Sequence, residues 1–349
     1  MTRRRALPAL IVALVVYAGG AQPSAPEPER EPVPVSVQTV PLEDQSSEPA
    51  HTVLAAAPFS MVGVTWNGPA PDTVELRVRQ GVGWSEWVAV DPVDGAEEAA
   101  AASEPVWTGP SREVQVRAVR AGLPVPGVSV VLLDPGSEPA DLSPQVTLSA
   151  GGTPVITRTA WGADESLRCA DPDYDDRVRA VTLHHTAGGN RYGSGDSAGI
   201  VRGIYAYHAR TLGWCDIGYH SLVDRYGQVF EGRAGGLDRP VIGTHAGGFN
   251  RQTSSIAMLG RYTGDQPTGV MTDALVRFLD WKLGVHGLDP HGETVLVSNG
   301  GGTSRYPRGT PVQLPVLFGH RDVGATECPG DDGYALLPGL RSAAASTPE

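Results

Sequence analysis

Two histidines and a cysteine, drawn from two distant parts of the sequence, constrain what this chain can fold into. His185 ends an apolar run, whereas His320 and Cys328 lie close together in one short segment. Two imidazoles and a thiolate are typical zinc ligands, and a catalytic zinc takes three protein ligands where a structural zinc normally takes four. The set predicts an open zinc site that only a folded domain can assemble. The alternative is a buried free thiol at Cys328 and histidines that are ordinary core residues.

The first 21 residues have the composition of a secretory signal. Three arginines at 3–5 precede an apolar run over 6–18, and small residues follow at 19–21. That run is shorter than the roughly 20 residues that span a bilayer. Cleavage near Gly20 or Ala21 is therefore expected, with a retained anchor as the alternative. The arginines also fit a twin-arginine export signal. We expect a secreted or wall-associated protein with no stable membrane insertion after cleavage.

The charge of the chain excludes one class of partner. The sequence has 27 Lys and Arg against 39 Asp and Glu, a formal charge of −12, and loss of the three arginines in the signal makes it −15. Duplex binding normally needs a basic face that neutralises phosphates. Nucleic acid is therefore not expected as a partner. The chain also lacks the His-Glu-x-x-His and Cys-x-x-Cys patterns of common zinc proteases and zinc fingers.

Composition and periodicity divide the 349 residues into two domains with flanking segments, since this length exceeds the usual size of one domain. Segments rich in Pro, Glu and Ser bury too little apolar surface to order themselves. The predicted divisions are a signal at 1–21, a disordered tether at 22–50, a β-sandwich at 51–135, a linker at 136–153, an α/β domain at 154–341 and a tail at 342–349.

Short alternating runs indicate that the N-terminal domain is all β. In the run 74–79, Val74, Leu76 and Val78 share one face and charged residues the other, as in a sheet with one wet face. Four tryptophans of this domain could form a carbohydrate-stacking platform, but core and hairpin packing is the more common role. They are Trp66, Trp84, Trp87 and Trp107.

The second domain mixes strands and helices, which predicts a mixed central sheet flanked by helices. Helical spacing of apolar residues predicts helices over 196–212 and 270–286. Strands are predicted over 180–185, 219–224, 228–231 and 254–259, with a hairpin through 295–297 and 312–314.

The three cysteines allow one disulfide in an exported protein, because an oxidising compartment favours pairing and leaves one thiol over. Cys169 and Cys215 lie far from any other ligand-type motif, whereas Cys328 follows His320 by eight residues. We therefore expect Cys169 to pair with Cys215 and Cys328 to bind the metal.

Six motifs in order give the second domain a specific resemblance. Over roughly 154–341 the chain resembles the peptidoglycan recognition protein and zinc-dependent N-acetylmuramoyl-L-alanine amidase family, while 22–153 is similar only to N-terminal β domains of actinobacterial proteins. The motifs are Thr159–Ala163, His185–Gly188, Gly213–His220, Asp224–Arg233, Gly243–Asn250 and His320–Gly330.

The resemblance implies a role for several residues. The family's zinc histidine before Thr-Ala falls on His185 rather than His184, and alternation along a strand lets only one of the two point at the metal. The remaining ligands fall on His320 and Cys328. The catalytic tyrosine and the residue two before the cysteine fall on Tyr219 and Thr326. The family's cysteine pair matches the expected disulfide.

The implied reaction is hydrolysis of the amide between N-acetylmuramic acid and the L-alanine of the stem peptide, with Zn²⁺ activating water. Tyr219 would bind the attacking water or the oxyanion, and Thr326 would donate to the developing charge. The proton for the leaving amine could come from Tyr219, a water chain or His245. Candidate contacts to the muropeptide stem and glycan are His208, Trp214, His245 and Asn250.

Two other functions compete with this one. A family member can recognise peptidoglycan without cutting it, although the intact Cys328 favours an enzyme. A structural zinc domain could also serve adhesion through the β-sandwich. In each case the protein is expected to act as a monomer.

Overall fold

A computed structural model describes residues 31–42, 50–96, 101–146 and 148–345. The predicted signal at 1–21 lies outside the described residues. Within the part that is described, no helix combines the length and the apolarity that crossing a bilayer requires. The predicted fold class, an all-β N-terminal domain followed by an α/β domain with a mixed sheet, is confirmed.

The N-terminal domain is built from antiparallel strands in the spatial order β1-β8-β2-β6-β3-β4, with β5 paired to β3 and β7 to β6. Strand β2 is long and its register with β6 shifts between Leu54 and Met61. The strands are β1 Ser36–Pro41, β2 His51–Trp66, β3 Thr73–Gln80, β4 Gly83–Trp84, β5 Val88–Ala89, β6 Val106–Arg120, β7 Leu123–Pro124 and β8 Val128–Asp134.

Strand β8 has an almost continuous apolar sequence because both of its faces are buried, where a strand with one wet face would alternate. Val130 and Leu132 point into the core of the β domain. Val131 and Leu133 point the other way, into a core that they share with the second domain. The two domains are therefore packed as one body.

Two pairs of residues interlock across this shared core. A Cβ atom on Gly63 would lie 2.5 Å from the ring of Tyr207, and a Cβ atom on Gly203 would overlap the sulfur of Met61. Glycine at both positions lets strand β2 approach the helix that carries Tyr207. The hydroxyl of Tyr207 donates to the carbonyl of Ser103 in the β domain.

The tryptophans of the β domain do not form a shared platform. Trp66 and Trp107 are buried. The guanidinium of Arg77 lies 5.4 Å from the ring of Trp84 and 4.6 Å from the ring of Trp87. Packing is therefore the role that the structure gives these side chains.

The second domain contains a seven-stranded sheet in the order β17-β11-β14-β12-β13-β10-β9. Most neighbours are parallel, but β9 with β10 and β12 with β13 are antiparallel. Its strands are β9 Leu148–Ala150, β10 Thr153–Ile156, β11 Ala180–His185, β12 Ser221–Val223, β13 Val229–Glu231, β14 Thr253–Met258 and β17 Leu317–Gly319. Two further strands, β15 Glu293–Val297 and β16 Pro311–Pro315, form a separate two-stranded sheet.

Helices cover the two faces of this sheet. Helix α1 packs on the face that also receives the β domain, and helices α2 and α4 cover the other face. The helices are α1 Ser197–Ala206, which continues as a π-helical turn over Tyr207–Thr211, α2 Gly269–Val285, α3 Asp331–Ala335 and α4 Leu337–Ala344.

The predicted helices and the predicted hairpin are confirmed, with ends displaced by a few residues. Helix α2 begins after Thr268, whose side chain accepts a hydrogen bond from the amide of Met271 and so caps the first turn. Strands β15 and β16 pair antiparallel and form the hairpin.

Three segment boundaries differ from the sequence prediction. Residues 36–41 of the predicted tether form strand β1, because they pair with the edge of β8. The predicted linker contains β9 and the start of β10, which extend the second sheet. Helix α4 continues past residue 341 into the predicted tail and buries Ala344.

Arg202 of α1 fixes the connection between the domains. Its side chain is fully buried and donates to both carboxylate oxygens of Asp141 in that connection. It also donates to the carbonyls of Pro135 and Trp161. A guanidinium presents five donors in a planar fork, which lets one side chain hold several segments together.

Candidate metal centre

The end of strand β11 places two adjacent histidines on opposite faces of the sheet. Val181 and Leu183 pack under helix α2, and alternation gives His185 that same face. The Nδ1 atom of His185 accepts from the amide of Tyr262, which belongs to the same core. His184 points to the opposite face, where its ring lies 4.6 Å from the ring of His320.

The structure therefore brings His184, and not His185, together with His320 and Cys328. One ligand atom from each of the three lies within 4.8 Å of the others, and all three residues are buried. This corrects the sequence prediction, which chose His185 by its position before Thr-Ala. His185 contributes its backbone amide, which donates to the sulfur of Cys328.

The spacing of these atoms fits a tetrahedral metal ion. Nitrogen and sulfur ligands at about 2.0 and 2.3 Å from a zinc lie about 3.5 Å apart. The Nδ1 atom of His184 lies 3.6 Å from the sulfur of Cys328. Both ring nitrogens of His320 are buried without a hydrogen-bond partner among the described residues. A buried polar atom without a partner is costly, and a metal ion would provide one.

A chain of hydrogen bonds determines which ring nitrogen of His184 carries the proton. The hydroxyl of Thr253 donates its only proton to the carbonyl of Phe249, so it accepts from Nε2 of His245. Nδ1 of the neutral His245 is then an acceptor, and Nε2–H of His184 donates to it over 3.1 Å. The lone pair of His184 is thereby left on Nδ1, the atom that faces Cys328.

Burial keeps the imidazoles neutral and opposes ionisation of the thiol. Desolvation lowers the pKa of His184 and of His245 well below the usual value, and neighbouring histidines lower it further. Desolvation also raises the pKa of Cys328 well above its usual value, with repulsion from Asp94 adding to it. A divalent cation reverses this second effect, because a thiol that binds it is deprotonated.

Each of the two candidate catalytic residues lies next to one member of this set. Tyr219 is buried, with its ring 5.4 Å from the ring of His184, and burial raises its pKa well above the usual value. The hydroxyl oxygen of Thr326 accepts from the amide of Cys328. Thr326 also lines a cleft of about 830 Å³ between the domains, with Trp66 and Asp91 among the other lining residues.

Each of the four candidate substrate contacts already contacts another part of the protein. His208 accepts from the amide of Gly218, and its ring lies 4.6 Å from the ring of Trp214. His245 holds His184. Asn250 accepts from the amides of His245 and Ala246.

Two features of the loops around the site are a disulfide, which was expected, and the position of Asp322. The disulfide between Cys169 and Cys215 is present, with Cα atoms 4.7 Å apart, and Cys328 is the free cysteine. Asp322 accepts from the amide of Gly319 and from the hydroxyl of Tyr334. It therefore shapes the loop that carries His320 through the backbone, whereas the hydrogen-bond partner of His184 is His245.

A second group of residues at this site comes from the β domain, and none of them belongs to a motif recognised in the sequence. Asp94 has a carboxylate oxygen 3.6 Å from Nδ1 of His320. A carboxylate oxygen of Glu104 lies 3.9 Å from Nε2 of His208, and one of Asp91 lies 3.9 Å from Nε2 of His185. These contacts cross between domains, so no local pattern reveals them.

Comparison with known proteins agrees with this architecture. The profile of the N-acetylmuramoyl-L-alanine amidase family matches residues 174–331. Peptidoglycan-recognition protein SC2 of Drosophila melanogaster is 32% identical over 181 residues, which cover 51% of this chain and 82% of that protein. This chain belongs to the peptidoglycan recognition protein and type 2 amidase family.

Other relatives of this family cover the same share of the chain. The peptidoglycan recognition protein of Trichoplusia ni is 32% identical over 190 residues, which cover 54% of this chain and 87% of that protein. The Drosophila peptidoglycan recognition protein SD has a similar solved structure, with a TM-score of 0.42, 25% identity and coverage of 53% of this chain and 93% of that one. Residues 23–147 match a profile described as Rv3811 N-terminal galactose-binding domain-like.

Proposed function

We propose that this protein is a secreted, zinc-dependent N-acetylmuramoyl-L-alanine amidase that acts on peptidoglycan as a monomer. The observation that carries the proposal is the buried set of His184, His320 and Cys328. Within this set, a hydrogen bond to His245 holds the ring of His184 in place. The proposed secretion is supported by the composition of residues 1–21 and by the disulfide, since disulfides persist in oxidising compartments.

The three ligands are all suited to zinc, because neutral imidazoles and a thiolate are its usual partners and three of them leave a position open. When bound there, zinc supplies a Lewis acid for the scissile carbonyl and an activated water. The chain's own contribution begins with orientation. His245 fixes the ring of His184, and the amide of His185 donates to the sulfur of Cys328.

Two hydroxyl groups would stabilise the negative charge that develops on the carbonyl oxygen. The raised pKa of Tyr219 keeps its phenol protonated at neutral pH, so it remains a donor. The hydroxyl oxygen of Thr326 accepts from the amide of Cys328, which orients its own proton for donation. Donors that are already oriented before the reaction need little rearrangement in the transition state.

The proton for the leaving amine has one best source among the candidates. His245 contacts His184 and Thr253 through its two ring nitrogens. It therefore orients the proposed metal ligand His184, and it does not line the cleft between the domains. Tyr219 is protonated and lies beside the ligand set, so we assign the transfer to it: its proton would pass to the leaving amine and be replaced by the proton that the attacking water loses.

Digestion of purified peptidoglycan with the zinc-loaded full chain tests this function. The expected products are stem peptides with a new alanine amino terminus, with no new reducing sugar ends. Tyr219→Phe should lower the rate about 10²- to 10³-fold, the usual effect of losing one such donor, and leave zinc affinity unchanged.

The control for that assay is Tyr226→Phe, which removes a half-exposed phenol that bonds to the carbonyl of Tyr192. We expect this variant to keep the parent rate. Because Asp94 contacts His320, Asp94→Ala is assayed beside the parent. If both proteins bind zinc and peptidoglycan but release no alanine amine, the chain is a recognition protein and the amidase proposal is wrong.

A further inference from the structure

A small pocket opens at the end of the central sheet opposite the candidate metal centre. Arg179 directly precedes strand β11, whereas His184 lies near the other end of that strand. At about 3.3 Å per residue, the two positions are about 16 Å apart along the chain. We use the name edge pocket for this cavity of about 260 Å³, which is lined by Arg179, Arg251, Gln252, Asn299 and residues 295–297.

Arg179 brings to the edge pocket a cation that lacks a partner. Its Nε atom is buried and makes no hydrogen bond to any described residue. The two carboxylates that lie shortly before it in the sequence are already paired, Asp175 with Arg251 over 2.5 Å and Asp176 with Arg177 over 2.9 Å. A buried donor without an acceptor is costly, so an acceptor from outside the chain would stabilise this side chain.

The charges around the edge pocket define the charge of a ligand that fits it. Asp175 balances Arg251, and Gln252 is neutral. Arg179 therefore supplies the one uncompensated charge among the described residues that line this cavity. A guanidinium binds the paired oxygens of a carboxylate or a phosphate group. The edge pocket thus suits a ligand with a single negative charge, which is either a carboxylate or a phosphodiester.

Strand β15 gives the same pocket an unpaired strand edge. Gly292 and Ser298, which flank this strand, both form backbone hydrogen bonds to the opposite side of the hairpin. Bonding alternates along an antiparallel pair, so the even-numbered residues of β15 bond to β16 and the odd-numbered ones face away. The backbone groups of Val295 and Val297 therefore form a free edge, without a hydrogen-bond partner in the part of the chain that the structure describes.

This free edge distinguishes between the two kinds of anion. A strand edge presents amide donors and carbonyl acceptors together, and another peptide backbone supplies the complement of both. A phosphodiester has no donor for the carbonyls. The side chains of Val295 and Val297 are 50% and 59% exposed, so they offer apolar contacts to the side chains of an added strand. The combination favours a peptide that carries a carboxylate.

We infer that the edge pocket binds an extended peptide that ends in a free carboxylate. The peptide adds to β15 as a further strand, and its terminal carboxylate lies on the guanidinium of Arg179. The partner is therefore a protein with an accessible C-terminal segment. Because the pocket lies far from His184, the inference goes beyond the proposed amidase activity and does not depend on it.

Fluorescence anisotropy with the full chain tests this inference. The probe is a hexapeptide of alternating Val and Thr that carries a dye at its amino end and ends in a free carboxylate. Two altered probes are compared with it, one that ends in an amide and one in which every internal amide is N-methylated. Inorganic phosphate and stem peptides released from peptidoglycan are added as competitors, because they are other sources of oxyanions.

The protein variants separate the role of Arg179 from that of positive charge in general. Arg179→Gln removes the uncompensated charge. Arg177→Gln is the matched control, because Arg177 is an exposed cation in the same segment and pairs with Asp176. Thermal unfolding of each variant is recorded beside the parent. If Arg179→Gln does not fold, the comparison among the three probes on the parent still decides the outcome.

We expect the carboxylate probe to bind the parent and Arg177→Gln with equal affinity. Loss of the carboxylate, N-methylation of the probe and Arg179→Gln should each weaken binding at least about tenfold, since each removes charge-assisted or backbone hydrogen bonds. Phosphate and stem peptides should displace the probe only at concentrations at least about tenfold above that of the unlabelled hexapeptide.

Equal affinities for the carboxylate and amide probes, or no binding to the parent, would overturn the inference. Equal binding of the N-methylated probe, or displacement by phosphate as efficient as by the unlabelled hexapeptide, would reduce the pocket to a site for small anions. Equally efficient displacement by stem peptides would exclude a protein C-terminus as its specific ligand. Release of alanine amine is measured separately, and its absence would count against the amidase proposal alone.

Discussion

His184 and His185 are neighbours in the sequence, yet the fold gives them different surroundings. The alternation that separates them was correctly read from the sequence, but the face was assigned from the position of the Thr-Ala pair. Val181 and Leu183 mark the face under helix α2, and His185 shares it. The apolar residues of the same strand were therefore the better guide to which histidine lies beside His320 and Cys328.

Exchange of each histidine for alanine tests this assignment. His184→Ala removes a ligand and should lower zinc affinity by more than about 100-fold. His185→Ala keeps the backbone amide that donates to Cys328, so its zinc affinity should stay within about threefold of the parent value. Chelator competition measures both affinities. Loss of zinc from the His185 variant alone would return the ligand role to His185.

At the scale of elements, helix α2 buries a cation against the central sheet. Lys282, the only lysine of the chain, is 2% exposed and donates to the carbonyl of Leu237. Burial lowers its pKa to about 7, against the opposing attraction of Asp238. Most other inward positions of this helix are apolar, so Lys282 makes the packing of α2 sensitive to pH.

The sign of that sensitivity follows from proton uptake. Between about pH 7 and the unfolded pKa of about 10.5, the unfolded chain binds the proton on Lys282 more strongly than the folded chain does. The free energy of unfolding should therefore rise with pH across this window. Relative to Lys282→Met, the parent should gain roughly 4 kcal/mol between pH 6 and pH 10.5.

Urea unfolding at several pH values measures this difference. Arg277→Met is the matched control, because Arg277 is an exposed cation on the same helix. We expect its stability to follow the parent at each pH. Parallel pH profiles for the parent and Lys282→Met would show that the lysine does not titrate in this window.

At the scale of the whole molecule, the two domains share a core that joins strands β2 and β8 to helix α1. The close approach at Gly63 is one of the contacts that define it. Elements that share a core tend to unfold together, because neither side can keep its buried surface without the other. We expect the described domains to unfold as one cooperative unit.

Calorimetry of two glycine variants tests that cooperativity. Gly63→Ala places a methyl group against the ring of Tyr207 and should destabilise the protein by about 1–3 kcal/mol. Gly83→Ala is the control in the same domain, where the added methyl group meets nothing within 4 Å. A single transition that shifts only in Gly63→Ala is the expected result. Two transitions, of which one is unchanged, would mean independent domains.

The sequence alone determined those features that depend on short-range pattern. Alternation predicted the β domain, helical spacing predicted α1 and α2, and the cysteine count predicted the disulfide. The motifs also singled out His320 and Cys328, whose side chains the structure places close together. Each of these features follows from residue types and spacings that can be read directly from the sequence. Strand β1 was missed because its order comes from pairing with a strand far along the chain.

Only the tertiary structure decided which side chains meet at the candidate metal centre. It placed His184 rather than His185 beside His320 and Cys328, because the faces of a central strand are defined by what packs on each side. It also brought Asp94 from the β domain to within 3.6 Å of His320. Contacts between domains depend on how two complete surfaces fit together, and no local periodicity or motif encodes that fit.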